Sequence, residues 1–244
     1  IEKQEFQVFY QPVVDAKTGK IVSAEALVRW FHEQKGFISP GQFIPALEKG
    51  GYISELDRYM IEKVTGCLDQ RRAEKKRFVP VSVNLSWMDF YDENMLEWIV
   101  RGLKKNNPNE QKIRFEITET SLAAIGENHT RMLMHLKENG AEILLDDFGS
   151  GYSSFGMLQD YDFDILKMDI SFVRNIGVNK KSESILRAII DMAHQLEIRL
   201  VAEGAETEEQ VAFLRANGCD YIQGYYYYKP MPENEFLQLL DEGK

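Results

Sequence analysis

Short apolar runs recur along the chain, and each stops on a polar residue. Residues 78–83 end at Asn84, 113–115 at Glu116, 143–145 at Asp146 and Asp147, and 164–166 at Lys167. Residues 199–202 end at Glu203 and 221–222 at Gln223; an earlier run, 21–24, ends at Glu25. Between them, residues 94–105, 129–139, 182–196, 208–216 and 233–241 carry helical patterns. Gly140 and Gly218 follow two of these as helix stops. Thr207 is placed to cap the helix that begins with Glu208 and Glu209.

Strands separated by helices predict parallel β-α-β units. From Asn84 onward the strand ends fall roughly 20 to 35 residues apart, which fits a (β/α)8 barrel of the TIM type. An open doubly wound sheet is the competing arrangement. It more often carries a glycine-rich turn after its first strand, and none is present here. The start of the chain has a different rhythm. Residues 6–10 and 20–24 flank the turn-rich stretch Asp15-Ala16-Lys17-Thr18-Gly19-Lys20, which predicts an antiparallel hairpin. Ser39 is expected to cap a helix opening at Pro40. Leu56, Tyr59, Met60, Val64, Cys67 and Leu68 form a further helical stripe.

Parallel barrels collect their sites at the C-terminal ends of their strands. All the polar ends above would then meet at one rim. A rim crowded with carboxylates repels itself unless cations sit there, so the pattern predicts a metal-dependent enzyme.

Composition narrows this further. The chain has 244 residues, 44% of them hydrophobic, and no linker-like segment, so 1–244 reads as a single domain. It opens on the polar stretch Ile1-Glu2-Lys3-Gln4-Glu5 and is expected to be cut from a longer protein. A net charge of −10 disfavours nucleic-acid polymers and anionic membrane surfaces. Cys67 and Cys219 lie far apart at no metal-like spacing, which suits the reducing cytoplasm. No apolar run approaches the ~20 residues of a bilayer span.

The strand-end residues each have a bland alternative. Asp146-Asp147 alone could be an acidic turn. In an extended strand adjacent side chains point to opposite faces, so both aspartates reach one site only where the strand breaks, and the glycines of Gly149-Ser150-Gly151 are candidates for that break. Glu116-Ile117-Thr118-Glu119 places one glutamate toward the rim and another toward the next loop. Asn84 offers a neutral hard oxygen, unusual after a buried strand. Lys167 among carboxylates would be kept positive and could orient a hydroxide; alone it could be a snorkelling lysine. Glu203-Gly204 and Gln223-Gly224 repeat one theme, a polar strand end and then glycine. His32, His129, His135 and His194 lie away from every strand end. An oxygen-rich set without histidine or thiolate favours Mg²⁺ or Mn²⁺ over Zn²⁺.

Taken in order, these segments resemble a known family. Glu25-Ala26-Leu27-Val28-Arg29-Trp30 is similar to the motif that names the EAL-domain family of cyclic di-GMP phosphodiesterases. Tyr10-Gln11-Pro12, Ser82-Val83-Asn84-Leu85-Ser86, Glu116-Ile117-Thr118-Glu119 and Asp146-Asp147-Phe148-Gly149-Ser150-Gly151-Tyr152-Ser153-Ser154 extend the likeness. Leu166-Lys167-Met168-Asp169, Val201-Ala202-Glu203-Gly204-Ala205-Glu206-Thr207 and Gln223-Gly224-Tyr225-Tyr226 complete it, from about residue 6 to 240.

The resemblance implies a modified barrel whose first strand is antiparallel, in a bacterial second-messenger enzyme that cuts cyclic di-GMP to linear 5′-pGpG. It implies two divalent cations that activate a water, one held by Glu25, Asn84, Glu116 and Asp146, the other by Asp146, Asp147 and Glu203. Lys167 would hold the attacking water and Gln223 would order its surroundings. Glu119 would anchor the 148–154 loop, through which a homodimer is expected. Gln11, Arg29 and Asp57 would contact the dinucleotide, Arg29 at a phosphate and Asp57 at a guanine edge. Ser150, Met157, Met168 and Trp87-Met88 depart from the usual pattern without removing a ligand. A cyclic di-GMP receptor that binds without cutting is the alternative. A barrel enzyme for another phosphorylated or enolisable substrate would not explain Gln11, Arg29 and the glycine-serine loop together.

Overall fold

The computed structural model describes residues 1–105, 113–125, 130–151 and 154–243. The chain opens with three strands, β1 (Phe6–Asp15), β2 (Ile21–His32) and β3 (Gly36–Ile38), then α1 (Pro40–Gly50) and α2 (Ile53–Ala73). Next come β4 (Val81–Asn84), a short 3₁₀ turn (Trp87–Tyr91), α3 (Glu93–Lys105), β5 (Ile113–Thr118), α4 (Glu119–Ile125) and α5 (Thr130–Glu138). The series continues with β6 (Glu142–Phe148), α6 (Ser154–Asp160), β7 (Ile165–Met168), α7 (Ile170–Arg174) and α8 (Lys180–Gln195). It ends with β8 (Arg199–Glu203), α9 (Glu208–Ala216), β9 (Tyr221–Gln223), β10 (Met231–Pro232) and α10 (Glu233–Asp241).

Eight of these strands close a barrel in the order β1-β9-β8-β7-β6-β5-β4-β2, with β2 returning to β1. Every neighbouring pair from β2 to β9 is parallel, whereas β1 is antiparallel to both β2 and β9. The first strand therefore enters from the rim at which the others end. The initial hairpin is much longer than its turn alone suggests: pairing runs from Val14↔Ile21 up to Phe6↔Trp30, and β3 lengthens it beyond the rim.

Strand alternation explains the layering. One set of side chains, including Val83, Phe115, Ile117, Leu145, Leu166, Leu200 and Ile222, is buried in the main core with the helices. The other set points inward. Val13, Leu144, Ile165 and Val201 pack together inside the barrel, with Tyr221 against them. Below them Glu142 accepts from Arg114 Nε at 2.5 Å and Arg199 Nη2 at 2.6 Å. Two residues nearer the rim on each strand come Gln11, which precedes Val13 on the antiparallel β1, and Asp146, Lys167, Glu203 and Gln223 on the parallel ones. An apolar plug thus supports a polar layer.

The helix ends follow local chemistry in part. Thr207 and Gln210 form a reciprocal capping box, and Gly140 and Gly218 take positive φ of 86° and 80° after α5 and α9. Ser39 stands at the predicted cap of α1 but its side chain caps nothing; Pro40 alone marks that start. Both cysteines are free. No helix among the described residues is long and apolar enough to cross a membrane.

Candidate active site

Lys167 is the centre of the polar layer. It projects from β7 and is 2% exposed. Its Nζ lies 2.6 Å from Glu116 Oε2 and from Glu203 Oε1, 3.2 Å from Asp146 Oδ1 and 3.3 Å from Glu25 Oε2. Only the Glu25 and Glu116 contacts have hydrogen-bond geometry. Glu25 also accepts from Gln223 Nε2 at 2.7 Å and from Asn84 Nδ2 at 3.3 Å. Gln223 donates a second bond to Gln11 Oε1, and Gln11 donates to the Tyr228 carbonyl, both at 3.2 Å.

Asp146 and Asp147 share the site through a backbone irregularity. The β6–β7 register shifts between Leu145 and Phe148, and Asp147 takes φ +56°. The break lies at the second aspartate itself, before the glycines expected to supply it. Carboxylate oxygens of Asp146, Asp147 and Glu203 come within 4.8 Å of one another.

The electrostatics follow from five carboxyl groups facing one ammonium. Burial opposes charge on Lys167, but Asp146, Glu116, Glu203 and Glu25 outweigh it and hold the ammonium well above its ordinary range. Burial pushes Glu25 up, yet Lys167 and the bonds from Gln223 and Asn84 keep it below its usual value. Glu116 has Lys167 as donor and faces Glu25 and Asp146; burial and these neighbours raise it well above its usual value. Burial pushes Glu203 up to about 8 against the pull of Lys167. Burial and Asp146 also raise Asp147.

The donor set fits hard divalent cations. Its atoms are carboxylate and amide oxygens, as Mg²⁺ and Mn²⁺ prefer. Two of the buried acceptors, Glu203 Oε1 and Gln223 Oε1, lack a hydrogen bond, although Lys167 lies close to the first. Orphaned acceptors beside surplus negative charge are what a cation would satisfy.

The family model described as EAL domain matches residues 1–230. The chain belongs to the EAL domain family. This EAL domain is 37% identical over 232 residues to an uncharacterised signalling protein of Caulobacter vibrioides, covering 95% of the chain and 28% of that protein. It is 36% identical over 228 residues to a cyclic di-GMP phosphodiesterase of Pseudomonas aeruginosa, covering 93% of the chain and 38% of the relative. It thus spans well under half of either relative. The solved PaMucR phosphodiesterase in complex with c-di-GMP superposes with a TM-score of 0.86 at 31% identity, covering 96% of this chain and 95% of that one.

The remaining expected residues sit around the rim of the EAL barrel. Glu119, buried at the start of α4, accepts from Gly149 N at 3.2 Å and Gly151 N at 3.4 Å through Oε2. Arg29 is half-buried on β2, with Nη1 donating to its neighbour's carbonyl, Val28 O. Asp57, on α2, lines a cavity of about 100 Å³ together with Arg29 and Asn84. His32 ends β2, while His135 and His194 sit exposed on α5 and α8. His129 lies outside the described residues, as do Tyr152 and Ser153 of the glycine-serine loop.

One buried partner escaped the sequence reading. Ser86 N donates to Asp57 Oδ2 at 3.3 Å and to Asp89 Oδ2 at 2.9 Å, so the two carboxyls meet at one amide. Burial and then Asp89 push Asp57 well above the usual carboxylate range. The signal was present as Ser86-x-x-Asp89, a capping-box pattern that this 3₁₀ turn realises.

Proposed function

We propose that this EAL domain hydrolyses one phosphodiester bond of cyclic di-GMP, releasing linear 5′-pGpG, with Mg²⁺ or Mn²⁺ as cofactor. The observation that carries the reading is the convergence of Glu25, Glu116, Asp146 and Glu203 on Lys167, beside Asn84 and Asp147. The phosphodiesterase named in Pseudomonas aeruginosa and the c-di-GMP complex of PaMucR support the substrate.

Glu25, Asn84, Glu116 and Asp146 would hold one cation, and Asp146, Asp147 and Glu203 a second. Such ions supply Lewis acidity to the water and the phosphate and offset the acidic rim. Lys167 orients the attacking water, its ammonium standing among the carboxyl groups of Glu25, Glu116, Asp146 and Glu203. Gln223 fixes the side of that water nearest Glu25. Arg29 receives a phosphate, Gln11 lines the dinucleotide path, and Asp57 meets a guanine edge. Glu119 keeps the glycine loop in register with Asp147.

The domain would act as part of a longer cytoplasmic protein and as a homodimer through the 148–154 loop. Chromatography of cyclic di-GMP incubated with the chain and Mn²⁺ or Mg²⁺ tests the reading. Release of pGpG that stops on adding chelator, and is lost in Asp146→Asn with the fold retained, supports it. Tight binding without product in both metals would make the domain a receptor instead.

A further inference from the structure

The two faces of the first hairpin are used differently. Phe6, Val28, Trp30 and Ile38 pack on Phe43, Ile53 and Leu56 beneath α1 and α2. The opposite face continues the inner wall of the barrel upward. On it Gln11 stands opposite Glu25, Phe9 opposite Leu27 and Gln7 opposite Arg29. Beyond the rim β2 carries Phe31, which pairs with Phe37 of β3.

This face bears a row of rings that starts at a cation. The Arg29 guanidinium lies 5.8 Å over the Phe9 ring. Phe9 and Phe31 have centroids 6.0 Å apart and planes tilted by 31°; Phe31 and Phe37 are 5.6 Å apart and tilted by 49°. Phe31 is 37% and Phe37 54% exposed. Burying the core does not require these two rings, because the hairpin's packing face is already filled by other side chains.

We propose that Phe9, Phe31 and Phe37 form a stacking subsite for a purine base of the dinucleotide, while Arg29 receives the phosphate of the same nucleotide. The proposal rests on the reading of the site as acting on cyclic di-GMP. Arg29 and Phe31 are two residues apart on one strand face, roughly 7 Å, a spacing a phosphate and its own base can span. The base offers a flat apolar face to rings that otherwise meet water, and Arg29 gives its phosphate a positive contact on an acidic rim. A contiguous row favours a two-ring purine over a one-ring pyrimidine, because more of the base is covered. The subsite is continuous with the catalytic layer through Gln11 and Glu25, so it binds the substrate rather than a remote ligand.

The test compares wild type, Phe31→Ala, Phe37→Ala and Phe31→Trp in the full chain. Cyclic di-GMP and cyclic di-UMP serve as substrates, and a 2-aminopurine cyclic dinucleotide as a fluorescent probe. Phe31→Ala is expected to raise KM for cyclic di-GMP about tenfold with kcat nearly unchanged, and to narrow the preference over cyclic di-UMP. Phe31→Trp restores both, and Phe37→Ala, at the more exposed ring, gives a smaller rise in KM. Wild type quenches the probe on binding and Phe31→Ala quenches it less. Unchanged KM and quenching in both alanine variants, with normal wild-type turnover, overturns the subsite and leaves the proposed activity standing. Loss of self-association in these variants without a change in KM also overturns it, assigning the rings to a contact between copies. Failure of wild type to bind or cut cyclic di-GMP overturns both readings.

Discussion

Replacing Lys167 with methionine isolates the charge at the centre of the site, because the substitution keeps most of the side chain's length and volume. Four carboxyl groups lie 2.6 to 3.3 Å from the ammonium, which is almost fully buried. At an effective dielectric of about 20, unit charges ~3 Å apart attract by about 5 kcal/mol. The cost of burying the charges cancels much of that gain. Removing one member of a buried pair nonetheless typically costs about 3–5 kcal/mol, because the partners stay behind without a counter-charge. Lys167→Met is therefore expected to lose about that amount at pH 7 in chelator.

The loss depends on pH with a definite sign. Burial raises Glu25, but Lys167 and its hydrogen bonds hold it below the ordinary 4.5. A depressed carboxyl contributes stability above its unfolded value and loses it as pH falls through the folded one. Wild type gives up that contribution as pH falls below about 4.5, whereas the variant never had it, so the gap between the two stability curves is full above that pH and narrows below it. Urea unfolding followed by tryptophan fluorescence in EDTA between about pH 3 and 8 measures both. Equal stability at pH 7, or a gap that stays constant down to about pH 3, would refute the electrostatic account.

Three further outcomes follow from the same layer. With Glu203 raised to about 8, Mg²⁺ must displace its proton at lower pH, so affinity falls by up to about tenfold per unit of acidification. Calorimetry in buffers of different ionisation enthalpy should detect the released proton, and a pH-independent affinity would contradict the assignment. Glu119→Gln keeps the shape but removes the charge that receives Gly149 and Gly151; activity should fall about 10–100-fold with the melting temperature nearly unchanged. Wild-type turnover would show that the loop needs no such anchor. A Cβ on Gly224 would sit 2.2 Å from Ala205 O and 2.4 Å from Ala205 N, so Gly224→Ala should lose about 1–3 kcal/mol in a chemical melt. A neutral effect would mean that the β8 and β9 ends can separate freely.

The barrel was legible because its inward positions carry chemistry and its outward positions carry apolar bulk. Glu116, Lys167, Glu203 and Gln223 each close a short apolar run; Glu203 and Gln223 end β8 and β9, whereas β7 runs on to Met168 past Lys167 and β5 to Thr118 past Glu116. The first hairpin was legible only near its turn. Beyond it, Gln11, Arg29 and His32 interrupt the simple alternation, so the full extent of β1 and β2 was hidden, and β3 with them. Ser39 illustrates a different limit: a residue of the favoured type need not make the bond that favours it. Asp57 was noticed without Asp89, since a contact between α2 and the turn after β4 leaves no periodic trace. The location of the strand break was misplaced because glycine is the usual bearer of positive φ, and here Asp147 bears it as well as Gly149.

That left-handed aspartate restricts the chemical alphabet at its position. Short polar side chains tolerate this backbone region, glycine prefers it, and β-branched residues are excluded. Glutamate adopts this backbone region at Glu197, where φ is 58°, but at Asp147 it would carry the same charge on a longer arm and its oxygens would overshoot. Glycine would relax the chain and leave nothing to coordinate. Under the proposed cation site, one residue would meet a conformational demand and a ligating demand together, and aspartate satisfies both.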